Sequence, residues 1–166
     1  MTVFTIGYEG IGLESFLQLL SDYNIDTVVD VREIPHSRKP GFSKKALASA
    51  LNLSGLDYVH MVHLGCPKPV RDRYREDGDW KRYVGSFVKH LKTQNAAITE
   101  LTHLVGLSSC ALLCYEADYR ACHRSIVADE LSESVGVDVI HIEFEGLKKA
   151  NPVSPRSAFA WADRAG

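Results

Sequence analysis

Residues 111–124 read Ala-Leu-Leu-Cys-Tyr-Glu-Ala-Asp-Tyr-Arg-Ala-Cys-His-Arg, and they decide how the rest of the chain is read. Ala111-Leu112-Leu113-Cys114 is a short apolar run, as a strand buried on both faces requires. Glu116 and Asp118 then turn the segment polar. From Arg120 onward Ala121, Ile126, Val127, Ala128 and Leu131 recur at helical spacing. The order is strand, loop, helix, with Cys114 and Cys122 bracketing the loop. Cys122-His123-Arg124 falls in the first helical turn. Free N–H groups and the positive end of the helix dipole, together with a neighbouring arginine, favour a thiolate there.

The same alternation runs outward in both directions. Residues 3–6 are a β-rich run closed by Gly7-Tyr8-Glu9-Gly10, and residues 11–23 carry Phe16, Leu17, Leu19 and Leu20 on one helical face. Residues 26–31 form a second strand ending at Asp30 and Arg32. Residues 33–41, with two prolines and Ser37-Arg38-Lys39, form a loop. Ser43 can cap a helix over residues 44–53, with Gly55 beyond its end. Residues 56–59 are a weaker strand, and residues 61–79 read as one long irregular segment. Residues 80–92 and 96–105 read as helices, residues 109–115 as the fourth strand and residues 137–142 as the fifth. Strands alternating with helices predict an α/β fold: a three-layer, mostly parallel open sheet, Rossmann-like or flavodoxin-like, with helices on both faces. The expected division is a single α/β domain over residues 1–146 and a C-terminal arm over residues 147–166.

In such sheets ligands bind outside the carboxyl ends of the strands, where the strand order switches. The unusual polar residues all follow strands, so they are expected to share one edge. An order of 3-2-1-4-5 would set Gly7 beside Cys114.

Composition narrows the class. A chain of 166 residues with 45% hydrophobic and 24% charged residues fits one globular domain. A formal net charge of -2 excludes a basic coat, so contact with nucleic acid would need a local patch. No apolar run reaches a membrane span and no basic leader opens the chain, so the expected location is cytoplasmic, with no membrane partner. The four cysteines then read as reduced thiols rather than a disulfide framework.

Several chemistries fit these residues. Cys114 and Cys122 read either as a nucleophilic or redox pair or as inert core thiols. Cys114 and Arg120 have the C-x5-R spacing of a phosphate loop, but Glu116 and Asp118 in that loop would repel a phosphate and no glycine opens it. Cys114, Cys122 and His123 could belong to a metal site, yet no C-x2-C or H-x3-H spacing supports zinc, so no metal ligand is expected. Asp30 and Arg32, expected on opposite faces, read either as a base and an anion clamp or as a buried ion pair. Arg38, Lys39, Lys44, Lys45, Lys68, Arg71, Arg73 and Arg75 could form a positive rim, with Tyr58, Tyr74, Trp80 and Tyr83 as stacking surface.

Taken in order, Thr5-Ile6-Gly7-Tyr8, Val29-Asp30-Val31-Arg32 with Pro35 and Ser37, Phe42, Leu64-Gly65, Leu113-Cys114-Tyr115-Glu116 and Cys122-His123-Arg124 resemble the bacterial and archaeal family called domain of unknown function 488. The resemblance covers residues 3–142. It implies that Gly7, Tyr8, Asp30, Arg32, Cys114, Glu116, Cys122, His123 and Arg124 stand at recurrent positions, while Arg120 and Cys66 do not. It implies no activity. The resulting candidates are Cys122, Cys114, Glu116 and Asp30 for catalysis, and Gly7, Tyr8, Arg32, Ser37, His123 and Arg124 for ligand binding. The expected partner is a phosphate-bearing small molecule or nucleic acid. Cofactor, oligomeric state and whether the centre is catalytic stay open among the residues themselves.

Overall fold

The computed structural model describes residues 1–144, so the expected arm over residues 147–166 lies outside the described residues. Within them, the alternating pattern becomes β1 (Thr2–Gly7), α1 (Leu13–Asp22), β2 (Thr27–Asp30), α2 (Lys44–Leu53) and β3 (Asp57–His60). Then follow α3 (Lys68–Asp77), α4 (Trp80–Leu91), α5 (Asn95–Leu107), β4 (Cys110–Cys114), α6 (His123–Val135) and β5 (Asp138–His141). All the strand pairings are parallel. Helices cover both faces: Phe16, Leu20, Leu47 and Leu51 of α1 and α2 pack on one side, and Phe87, Leu101, Ile126 and Leu131 of α4, α5 and α6 on the other. No helix among the described residues is long and apolar enough to cross a membrane.

The strand order is β3-β2-β4-β1-β5, not the expected 3-2-1-4-5. Burial explains the difference. Every residue of β4 is buried, whereas β3 and β5 keep partly exposed positions. The all-apolar strand therefore takes the centre, between β2 and β1, and the less apolar strands take the edges. Gly7 still pairs with Cys114, because β1 and β4 are neighbours in either order. Their following helices, α1 and α6, lie on opposite faces of the sheet. The switch point thus falls between β1 and β4.

The other departure is in residues 61–79, expected to be irregular. They hold a 3-10 turn, Val62–Leu64, and the helix α3. None of the residues of α3 is buried, so no apolar stripe betrays it. Local chemistry makes it helical instead. Pro69 lies in its first turn, Lys68 pairs with Asp72, Arg73 lies 3.8 Å from Asp77, and Gly78 closes it in the left-handed region at φ 62°.

Ser43 starts α2, but its hydroxyl does not cap the helix. It ties the preceding loop instead, accepting from the Ser37 N–H at 3.0 Å and donating to the Ser37 carbonyl at 3.0 Å. That tie shapes the loop that walls the site.

Candidate functional site

A cleft of about 690 Å³ opens at the carboxyl edge of the sheet, over the switch point. Four strand ends and the start of α6 build it. Tyr8 follows β1, the loop from Arg32 to Lys39 follows β2, Cys66 and α3 follow β3, and Cys114, Tyr115 and Glu116 follow β4. Tyr74, Trp80 and Tyr83 close the far wall as a contiguous aromatic group, with the Trp80 and Tyr83 rings stacked at 4.7 Å.

Two charged clusters underlie this cleft, one on each side of the sheet. The first belongs to β2. Arg32 Nε donates to Asp30 Oδ1 at 2.9 Å and Nη2 to Asp30 Oδ2 at 2.7 Å, a two-pronged ion pair. Arg32 Nη1 donates to the Phe42 carbonyl at 2.7 Å and to the Tyr8 hydroxyl at 3.0 Å. The Tyr58 hydroxyl donates to Asp30 at 2.6 Å. Asp30 is 0% exposed and Arg32 6%. The strand stops at Asp30, and residues two apart project alike, so the expected opposite facing does not occur. Asp30 does not line the cleft, and its oxygens are taken. The reading as base or ligand gives way to that of a buried ion pair. Arg32 reaches the cleft wall, but nearly all its N–H groups are committed, so it anchors the β2 loop rather than clamping an anion.

The second cluster gathers around α6. Cys122 is the N-cap of that helix, and Cys114 ends β4. Glu116 Oε2 lies 3.1 Å from Cys114 Sγ and 3.3 Å from Cys122 Sγ. His123 Nδ1 lies 3.8 Å from Cys114 Sγ and 3.9 Å from Cys122 Sγ. On its other side the imidazole donates from Nε2 to the Val31 carbonyl at 2.7 Å, and Phe87 packs edge-on against the ring at 5.3 Å.

Proton affinities in this cluster diverge. The hydrogen bond to Cys122, and then burial, push the Cys114 thiol well above its ordinary range. Burial opposes ionisation of Cys122 too, but the bond from Cys114, the Arg124 charge and His123 outweigh it and draw that thiol well below its range. His123 is moved upward by Cys122 despite its burial. Burial, and then the charge on Cys122, raise Glu116. Cys114, Glu116 and His123 line the cleft; Cys122, 2% exposed, does not.

Arg124 is 0% exposed and stays out of the cleft. It donates to the carbonyls of Glu116 and Ala117 and, at 3.4 Å, to Thr5 Oγ1. Its place is under the loop, holding it down, not against a ligand. The same carbonyls explain why the C-x5-R spacing makes no phosphate loop. The backbone turns oxygens inward, the Ala117 N–H is bound by Glu9 at 2.9 Å, and Arg120 turns to Asp118 at 3.4 Å and Glu143 at 3.8 Å. Gly7 does not line the cleft either; it sits beneath the loop at Glu116.

Of the other expected residues, Tyr8 and Ser37 line the cleft, with the Tyr8 ring stacked on Phe42 at 4.4 Å. Of the basic positions, Arg38, Lys39, Arg71 and Arg75 line it. Lys44 turns to His60 at 3.3 Å, and Lys68 and Arg73 are taken by the ion pairs of α3. Tyr58 is spent on Asp30. Two features had no sequence signal. Arg71 pairs with Glu33 and so ties α3 to the β2 loop. Cys66, 1% exposed, also lines the cleft, its thiol pushed by burial up to about 11.

No curated protein and no solved structure matches the chain. A family model described as "Domain of unknown function DUF488" matches residues 12–131. That span runs from the start of α1 into α6, taking in β2, β4 and the thiol cluster, so the chain belongs to the DUF488 family.

Proposed function

We propose that the cleft binds a phosphate-bearing ligand, a nucleotide or a stretch of nucleic acid, and that the thiol centre at its floor acts on it. The observation that carries this reading is the composition of one cavity. Arg38 and Lys39 form its rim with no carboxylate partner among the described residues, Tyr74, Trp80 and Tyr83 form its wall, and Cys114, Glu116 and His123 form its floor. Cations suit phosphate oxygens, flat rings suit a base, and the floor groups can exchange protons with whatever lies above them. In this reading Glu116 is the general base or orienter. Lys39 Nζ, held at 2.7 Å by the Tyr8 carbonyl, is aimed by its partner without losing charge to it.

Calorimetric titration with ATP, with adenosine and with a short single-stranded oligonucleotide tests the proposal. Binding of the phosphorylated ligands but not of adenosine, weakened at least about tenfold in R38E/K39E, is expected. No binding by any of them, or affinity untouched by R38E/K39E, would overturn it.

A second reading, a nucleic-acid-binding module without catalysis, draws on one contrast: Arg38 is exposed, whereas the thiols are buried. It expects oligonucleotide affinity to fall steeply with salt and to survive Cys122→Ser.

A further inference from the structure

We propose that Cys114, Glu116, Cys122 and His123 form a binding site for a divalent transition-metal ion of the zinc class. The donor atoms of Cys114, Cys122 and His123 all lie within 4.8 Å of one another. The carboxylate oxygen of Glu116 is 3.1 and 3.3 Å from the two sulfurs, and His123 Nδ1 is 3.8 and 3.9 Å from them. A tetrahedral zinc ion, with bonds of about 2.0–2.3 Å, holds neighbouring donors about 3.5 Å apart. The observed separations bracket that spacing, so small side-chain shifts would seat an ion among the four.

Three further features fit a metal better than a plain hydrogen-bond network. The Nε2–H of His123 is fixed on the Val31 carbonyl at 2.7 Å, which turns the Nδ1 lone pair toward both sulfurs. Metal-binding histidines are oriented by such outer contacts. Charge also balances. Two thiolates and a carboxylate carry three negative charges against two on the ion, and the fully buried Arg124 follows directly in the chain to supply the remaining positive charge. Finally, thiols are weak hydrogen-bond donors and acceptors, so two of them add little to a purely structural network. Two sulfurs and an imidazole choose zinc-like ions over magnesium or calcium, which take oxygen donors.

The spacing explains why sequence patterns miss the set. The cysteines are separated by a whole strand-to-helix loop, not by the tight turn of a zinc knuckle. Cys114, Glu116 and His123 line the cleft, so the ion would face its contents, and a phosphate oxygen that took the place of the Glu116 carboxylate would be polarised while freeing that carboxylate to act as the base. This last step rests on the function proposed above; metal binding itself does not.

The test uses the full chain, stripped of metal and titrated first with Co2+ and then with competing Zn2+. One equivalent of cobalt is expected, with the strong visible bands of a tetrahedral ion and sulfur-to-cobalt charge transfer in the near ultraviolet. C114S, C122S and H123Q are each expected to lose at least about 100-fold in affinity, while C66S/C110S binds like the parent. Absence of stoichiometric uptake overturns the site, as does uptake without thiolate charge transfer in the unsubstituted chain. So does undiminished affinity in C114S/C122S. The spectrum of the parent protein decides even if a variant fails to fold. ATP titrations of the stripped and loaded chain separate the two proposals. ATP binding without cobalt uptake removes the metal alone; cobalt uptake without ATP binding removes the cleft's ligand and leaves the metal.

Discussion

The carbonyl of Glu116 passes so close over Gly7 that a Cβ on Gly7 would lie 1.9 Å from its oxygen. Both partners are backbone: a strand end and the loop that carries the thiol centre. Neither can swing aside as a side chain would. Arg124 clamps that same carbonyl from α6, so the loop is held between a strand end that carries no side chain at Gly7 and a buried guanidinium.

Gly7→Ala is therefore expected to lower stability by about 1–3 kcal/mol, because the loop must lift to make room. Gly85 is the comparison. It is exposed in the interior of α4, and a Cβ added there would meet nothing within 4 Å. Gly85→Ala should raise stability by about 0.5–1 kcal/mol through helix propensity. Urea denaturation of both variants reads the contrast; equal small effects would mean the loop yields freely.

The Asp30–Arg32 pair gives a second expectation. Both side chains are buried, and removing either leaves an uncompensated charge. Asp30→Asn should cost about 3–5 kcal/mol. Arg32→Lys should be far from neutral too, since one ammonium cannot reproduce the two-pronged contact and the bond to Phe42. The double variant D30N/R32M should recover most of the loss in a double-mutant cycle. Additive losses would show that the two residues act through different neighbours.

His141 supplies the pH dependence. Burial first, then the charges on Arg124 and Arg120, hold its imidazole down to about 4. Its ring stacks on Tyr119 at 3.7 Å, and Nδ1 bonds Thr5 Oγ1 at 2.8 Å. The unfolded chain, with an ordinary histidine near 6.5, binds the proton first. Stability is then fully present above about pH 6.5 and is lost as the pH falls toward 4, with no further loss from this group below that. The loss has an upper limit of about 3 kcal/mol, reduced by residual solvent screening. His141→Gln should flatten this part of the stability profile. A profile identical to the parent's would show that the carboxylates alone set the acid limb.

How much of this was legible in the sequence depends on what kind of residue carried the signal. The strand–loop–helix over residues 111–124 could be read because apolar period and polar loop are local properties. The edge where β1, β2 and β4 deliver their polar residues followed from the parallel-sheet rule alone. Strand order did not, since period says nothing about neighbours. Only burial of both faces puts Cys110–Cys114 at the centre. Helix α3 was hidden because ion pairs stabilise it and only Val70 and Tyr74, both partly exposed, pack against the core, too few for an apolar stripe. In the site, Asp30 and Arg32 allow both a base with an anion clamp and a buried ion pair, and Arg124 both a ligand contact and a tie to the loop; sequence alone does not choose, because whether a guanidinium meets a ligand or a carbonyl is decided by chain segments far away. Phe42 and the Glu116 carbonyl are such partners.

Trp80 offers the most direct probe of what fills the cleft. It is half-buried, stacks on Tyr83 at 4.7 Å and meets Tyr74 edge-on at 5.5 Å, on the same wall as Arg75. The chain has two tryptophans, and the other is Trp161. In W161F the emission comes from Trp80 alone. A nucleotide whose base stacks on this wall should quench that emission saturably, and ribose 5-phosphate should compete without quenching. Trp80→Leu should weaken the nucleotide by about 1–3 kcal/mol, the usual worth of one base stacked on an aromatic ring, and leave ribose 5-phosphate nearly unaffected. Quenching by ribose 5-phosphate as strong as by the nucleotide would place the phosphate, not the base, at the aromatic end and reverse the orientation of the ligand in the cleft.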